Sequence, residues 1–168
     1  MANTIKSVLK EDRSYAPSES LSKQAHVKNL SEYETLYRQS IEDPETFWRE
    51  QASQAIPWSR DFTKVLEWDE PFAKWFSDGQ TNAATVCVDQ HLKTWRKNKA
   101  AIIWEGEPGD QLTLTYGQLH RKVCQAANAL TQMGVKKGDR VAIYMPMVPE
   151  AAIAMLACAR IGAPHNVV

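Results

Sequence analysis

The side chains of this 168-residue chain best suited to nucleophilic or acid–base work at neutral pH are three cysteines and four histidines. Cys87, Cys124 and Cys158 stand far outside the short spacing of a CxxC zinc or redox motif. An odd, dispersed set points to a reducing compartment, with each thiol packed as a small apolar side chain. His91 follows Asp89 and Gln90, but no other residue stands at metal-ligand spacing from it, so it reads as a structural or surface histidine. The sequence has no GxGxxG, GxxxxGK[ST], HExxH or GxSxG. The residues therefore assign no catalytic, cofactor-binding or metal-ligating position.

Two segments could still touch a ligand. Lys136-Lys137-Gly138-Asp139 has the charge of a phosphate-binding turn. It lacks the glycines that would aim several N–H groups inward, and its lysines complement the negative end of the preceding helix, so it reads as a solvated turn. Met145-Pro146-Met147-Val148-Pro149-Glu150 follows an apolar strand. Open α/β sheets bind ligands outside the carboxyl ends of their strands, which makes this segment a candidate pocket lip. Pinning a strand-to-helix turn is the competing use of its two prolines.

The elements that would position these segments lie in the second half. Ala100–Trp104 and Leu112–Thr115 read as a hairpin around the turn Glu105–Asp110. Thr115-Tyr116-Gly117-Gln118 fits a capping box opening a helix, with Leu119, Val123, Ala126, Ala127 and Leu130 as its apolar stripe and Gly134 as its cap. Arg140–Met145 is a strand, Glu150–Ile161 a helix apolar nearly all round and closed by Gly162, and His165–Val168 the opening of another strand. This alternation predicts a parallel sheet with helical crossovers, an α/β fold. A sheet stopping there would leave a long bare edge, which natural domains usually cover. The expectation is the front part of something larger.

The first half is different. Residues 1–29 are polar and serine-rich and read as a mobile arm. Ser31-Glu32-Tyr33-Glu34 fits a capping box, with Tyr33, Leu36, Tyr37 and Ile41 at helical spacing, and Asp43-Pro44-Glu45 restarts a helix that Pro57 ends. Trp58, Phe62, Trp68, Phe72, Trp75 and Phe76 form an irregular aromatic stretch that packs this region onto a larger body, and Ala83–Trp95 is a predicted helix. With 20 Lys+Arg against 20 Asp+Glu and a pI near 6.9, the chain has no basic excess for nucleic acid or an anionic membrane. The charged Met1–Tyr15 segment is no signal peptide and no run of 18 apolar residues occurs, so the expected location is cytoplasmic.

Several runs together resemble one family. Tyr37-Arg38-Gln39-Ser40-Ile41, Pro44, Phe47-Trp48, Trp75-Phe76-x-x-Gly79, Ile102-Ile103-Trp104-Glu105-Gly106, Thr115-Tyr116-x-x-Leu119-His120 and Lys137-Gly138-Asp139 are similar to the acetyl-coenzyme A synthetases, AMP-forming acetate–CoA ligases of the adenylate-forming (ANL) superfamily. The runs Ile143–Ala152 and Ala154–Ala163 carry the most specific part of the resemblance, which extends over residues 30–168. Propionyl-CoA synthetases are similar through the same stretches. The chain departs from the family pattern at Thr81-Asn82, Val88-Asp89-Gln90-His91 and Ala163-Pro164-His165-Asn166.

The resemblance implies a helical, Trp-rich extension at 30–95 and the truncated start of an AMP-binding (adenylation) domain at 96–168. It implies a full-length enzyme joining acetate to coenzyme A with Mg-ATP through an acetyl-adenylate, releasing AMP and pyrophosphate. The phosphate loop, acetate pocket, catalytic lysine and CoA-binding arginines would lie beyond Val168, in the rest of the adenylation domain and a C-terminal domain. The piece alone is expected to be inactive and to bind neither ATP nor CoA tightly. A non-catalytic interaction module derived from the family stays open as the alternative.

Overall fold

A computed structural model describes residues 14–168 of the chain. They fall into two compact units, one ending at Phe47 and the other running from Trp48 to Val168. Met1–Arg13, and with them the first part of the expected arm and nearly all of the charged Met1–Tyr15 segment, lie outside the described residues.

In the first unit a short helix α1 (Glu19–Gln24) opens on Ser18, whose hydroxyl accepts from the Leu21 N–H at 3.3 Å. Helix α2 (Leu30–Glu42) begins earlier than the sequence predicts. Its cap is Asn29, whose Oδ1 accepts from the Glu32 N–H at 2.9 Å, while Glu32 reaches back to the Lys28 N–H at 2.8 Å. Asn29 and Glu32 thus take the reciprocal roles expected of Ser31 and Glu34, because asparagine is at least as good a cap as serine and stands two residues upstream. Helix α3 (Pro44–Ala55) starts at the predicted proline, with the Asp43 carboxylate accepting from the Thr46 N–H at 3.2 Å.

The aromatic stretch of the second unit is not irregular throughout. Strands β1 (Leu66–Asp69) and β2 (Phe72–Trp75) pair as an antiparallel hairpin with a cis Glu70–Pro71 bond at its tip. Trp58, Phe62 and Phe76 pack edge-on at centroid distances of 4.7 to 5.6 Å over Ala52 and Val65, whereas Trp68 and Phe72 stay exposed. Gly79 is required here, since a Cβ would stand 2.7 Å from the Trp58 ring.

Asp78 closes this unit locally: its carboxylate accepts from the Thr63 hydroxyl at 2.5 Å and from the Thr63 and Lys64 N–H groups at 3.0 and 3.2 Å. Those donors, the Thr63 hydroxyl first, hold its pKa down to about 2. A carboxyl lowered on folding adds stability that is complete above its ordinary range and is lost as pH falls through the folded value. Asp78→Asn should therefore melt below the parent at pH 6, with the gap narrowing as pH falls from about 4 towards 2. Thermal melts at stepped pH test this, and a gap constant with pH would refute it.

The predicted helix Ala83–Trp95 is instead a single turn, α4 (Ala83–Cys87), followed by two 3-10 turns at Asp89–Lys93 and Trp95–Asn98. Val88 leaves helical geometry at φ −127°, ψ −58°, which buries its side chain to 1% exposure and lets Asp89 reach another helix. A tertiary contact here overrides local propensity.

Strands β3 (Ala100–Glu105) and β4 (Gln111–Thr115) form the predicted hairpin. The capping box is present at Thr115, whose hydroxyl accepts from Gln118 N–H while the Gln118 side chain accepts from Thr115 N–H, and it starts α5 (Tyr116–Gln132). Strand β5 (Val141–Ile143), helix α6 (Pro149–Ile161) and strand β6 (His165–Val167) follow, and β5 and β6 are parallel. Helix α6 ends at Gly162 in the left-handed region, φ 83°, as predicted. The strands do not join one sheet. Among the described residues they make three two-stranded sheets, with β4 paired to β3 and not to β5. Two small cores unite α6 with its neighbours: Val88, Leu114, Leu119, Val123 and Ile153 in one, Ile143, Cys158 and Ala163 in the other.

Candidate functional site

The turn at the carboxyl end of β5 is built from two prolines and a tie to another element. Val148 N–H bonds the Pro146 carbonyl at 2.8 Å, and Val148 caps α6 without side-chain help, with Pro149 as the first helical residue. The Trp104 indole Nε1 of β3 donates to the Met147 carbonyl at 2.7 Å. Tyr144 and Met147 project outward, 87% and 92% exposed, while Pro149 is buried. The segment is thus a pinned turn with an uncharged, exposed lip. Glu150 occupies the first turn of α6 and complements the positive end of the helix, which makes the end a poor place for a phosphate.

The Lys136–Asp139 segment closes on itself. Asp139 Oδ2 accepts from the Lys136 N–H at 2.7 Å, and Gly138, at φ 91°, donates to the Gly162 carbonyl at 3.0 Å. A carboxylate fills the place an anion would take.

The sequence did not foresee a cluster joining α4, α5 and α6. Arg160 holds Asp89 through two bonds, Nη1 to Oδ2 at 3.0 Å and Nη2 to Oδ1 at 2.6 Å. Asn82 Nδ2 donates to the Ala159 and Arg160 carbonyls at 3.0 and 3.2 Å. Burial pushes the Asp89 carboxyl up, but the Arg160 bonds and charge, with help from His120, outweigh it and hold the group below its usual range. His120 Nε2 lies 3.7 Å from Asp89 Oδ1 and 3.5 Å from Cys124 Sγ.

This is no nucleophile–base–acid relay. Such a relay uses both imidazole nitrogens, one towards the thiol and one towards the carboxylate, and here one nitrogen faces both. Cys158 is fully buried and its thiol is pushed up by that burial, away from the reactive thiolate. His91 packs edge-on against Tyr116, centroids 4.7 Å apart. Only partner chemistry in space, not residue spacing, reveals the Asp89–Arg160 pair, because 71 residues separate its members.

A groove of about 600 Å³ runs between Trp58, Trp75, Phe76, Gln80, Asn82 and Lys137. Much of the polar chemistry along it is committed inside the fold: Ser59 and Thr81 hydroxyls bond the Gln80 and Pro57 carbonyls at 3.0 Å, and Asn82 bonds α6. Among the described residues no helix is long and apolar enough to cross a membrane.

Comparison with known proteins places this arrangement in a class first. Residues 88–168, which include both parallel strands and the pinned turn, match the family model for AMP-binding enzymes, and residues 33–87 match the model for the acetyl-coenzyme A synthetase N-terminus. The acetyl-coenzyme A synthetase of Chlorobaculum tepidum is 52% identical over 167 residues, which is 99% of this chain and 25% of that protein. That of Campylobacter jejuni is 54% identical over 155 residues, covering 92% and 23%. Among solved structures, acetoacetyl-CoA synthetase from Streptomyces lividans superposes with a TM-score of 0.74 at 26% identity, over 89% of this chain and 23% of that one. The chain belongs to the acetyl-coenzyme A synthetase family of AMP-binding enzymes. It spans about a quarter of the length of the curated relatives it matches.

Proposed function

We propose that this chain is the N-terminal part of an AMP-forming acetate–CoA ligase. The observation that carries the reading is identity above half to proteins named acetyl-coenzyme A synthetase along nearly the whole chain. In the proposed reaction an acetate oxygen attacks the α-phosphorus of ATP and pyrophosphate leaves. The CoA thiol, losing its proton, then attacks the acetyl carbonyl of the adenylate, and AMP leaves. Magnesium would neutralise phosphate charge in the first step. Residues 30–95 are read as the family's extension and 96–168 as the opening of its adenylation domain.

The part given to this chain is scaffold. Its contributions are the parallel pair β5–β6, the helix α6 that backs it and the hairpin β3–β4 that steadies its turn, with the catalytic groups supplied by the remaining adenylation and C-terminal domains. With ATP and CoA as substrates the reaction belongs in the cytoplasm.

The test is ATP–pyrophosphate exchange with acetate or propionate, using the complete gene product and the 168-residue chain side by side. Acetate-dependent exchange by the first and none by the second supports the reading. Exchange only with propionate moves the specificity to propionyl-CoA synthesis. Turnover by the short chain overturns the scaffold role, and no exchange by either overturns the ligase.

A further inference from the structure

We infer that Trp104 is a positioning residue for that reaction, acting through the turn at the carboxyl end of β5, an inference that rests on the ligase reading. The turn has few means of holding itself. Pro146 and Pro149 have no N–H, and Val148 N–H is used on the Pro146 carbonyl. The Val148 carbonyl serves the first turn of α6, taking Ala151 N–H at 3.0 Å. The Met147 carbonyl is left for a donor from elsewhere, and the Trp104 indole, 43 residues upstream, supplies it at 2.7 Å.

Side-chain burial holds the turn only at its α6 end, through Pro149, since Tyr144 and Met147 stand almost wholly in solvent. Gly106 completes the device. A Cβ at that position would lie 2.7 Å from the Trp104 ring at Cη2 and 3.0 Å from Cζ2, so the indole reaches Met147 only because residue 106 has no side chain. The hairpin turn that carries Gly106 is closed by its own bonds, Gly106 N–H to the Asp110 carbonyl at 2.8 Å and Gly109 N–H to the Gly106 carbonyl at 2.9 Å, so the glycine cannot simply move away.

Trp104, Gly106 and Met147 thus couple hairpin β3–β4 to the edge of the β5–β6 pair where an open α/β sheet meets its ligand. A drifting turn beside a ligand site weakens ground-state and transition-state binding alike, which raises KM and leaves kcat nearly unchanged.

The test uses the complete gene product with Trp104→Phe, which keeps a ring and removes the donor, Gly106→Ala, which keeps the donor and displaces the ring, and the double variant. Each single change should raise KM in the full acetyl-CoA-forming reaction about tenfold, with kcat moved far less. Because both act on one bond, the double variant should be no worse than the poorer single. Deuterium uptake of the peptide spanning residues 144–150 should quicken in all three.

Wild-type KM and uptake in Trp104→Phe overturn the inference, as do effects that multiply in the double variant. If the unsubstituted protein shows no acetate-dependent exchange, the ligase reading falls and the positioning role of Trp104 in that reaction with it. Quickened uptake would then still establish the clamp as a structural tie.

Discussion

Replacing Arg160 by alanine is expected to lower the stability of the fold by about 3 kcal/mol. Asp89 and Arg160 are only 25% and 23% exposed, so deleting the arginine strands a carboxylate that water reaches poorly. The loss exceeds the worth of the pair itself, because it includes the desolvation of the orphaned partner. Arg160→Ala with Asp89→Asn should therefore cost less than the sum of the two single changes, and urea titrations of the four proteins measure the difference.

The pH dependence carries a definite sign. Asp89 is held below its usual range, so the pair contributes fully above that range and its contribution fades as pH falls through the lowered value. The stability gap between parent and Arg160→Ala should be flat through neutral pH and shrink in acid. A gap that stays constant or widens in acid would refute Arg160 as the group that holds Asp89 down.

That pair also shows where sequence reading stops. The capping box at Thr115, the left-handed glycine after Ile161 and the hairpin before α5 are written in residues a few positions apart, and the structure has all three. Helix α2 was readable as a helix but not to its first residue, since Asn29 and Ser31 both have capping side chains and only geometry chooses between them. The break after Cys87 was not readable. Local propensity favours continuing the helix, while burial of Val88 and the bidentate reach of Asp89 to Arg160 reward ending it, and those rewards depend on residues from 114 to 160.

The same holds for the turn after β5. Its prolines mark it as pinned from sequence alone, whereas the donor that holds it sits on a hairpin 43 residues away. Pairing of β5 with β6, and of β4 only with β3, is likewise a matter of which strands meet, on which the alternation of elements is silent.

Leu119→Ala is expected to cost about 3 kcal/mol, a large-to-small change in a core with little room to collapse. Leu119 is 4% exposed and lies in one core with Val88, Leu114, Val123 and Ile153, residues drawn from the segment after α4, the hairpin, α5 and α6. Its neighbours are fixed from several directions: Leu114 by strand pairing to Ile102, Val88 by the tether next to it at Asp89. The cavity should therefore persist, and the cost should fall in the upper part of the range for this substitution. Leu119→Met, which conserves volume with a more pliant side chain, should cost less than about 1.5 kcal/mol. Chemical denaturation of the two variants decides the matter. A Leu119→Ala penalty below about 1 kcal/mol would mean that the hairpin, α5 and α6 do not share one core. The consequence reaches the proposed function, because this core is what seats hairpin β3–β4, and with it Trp104, against the helix that follows the turn its indole bonds.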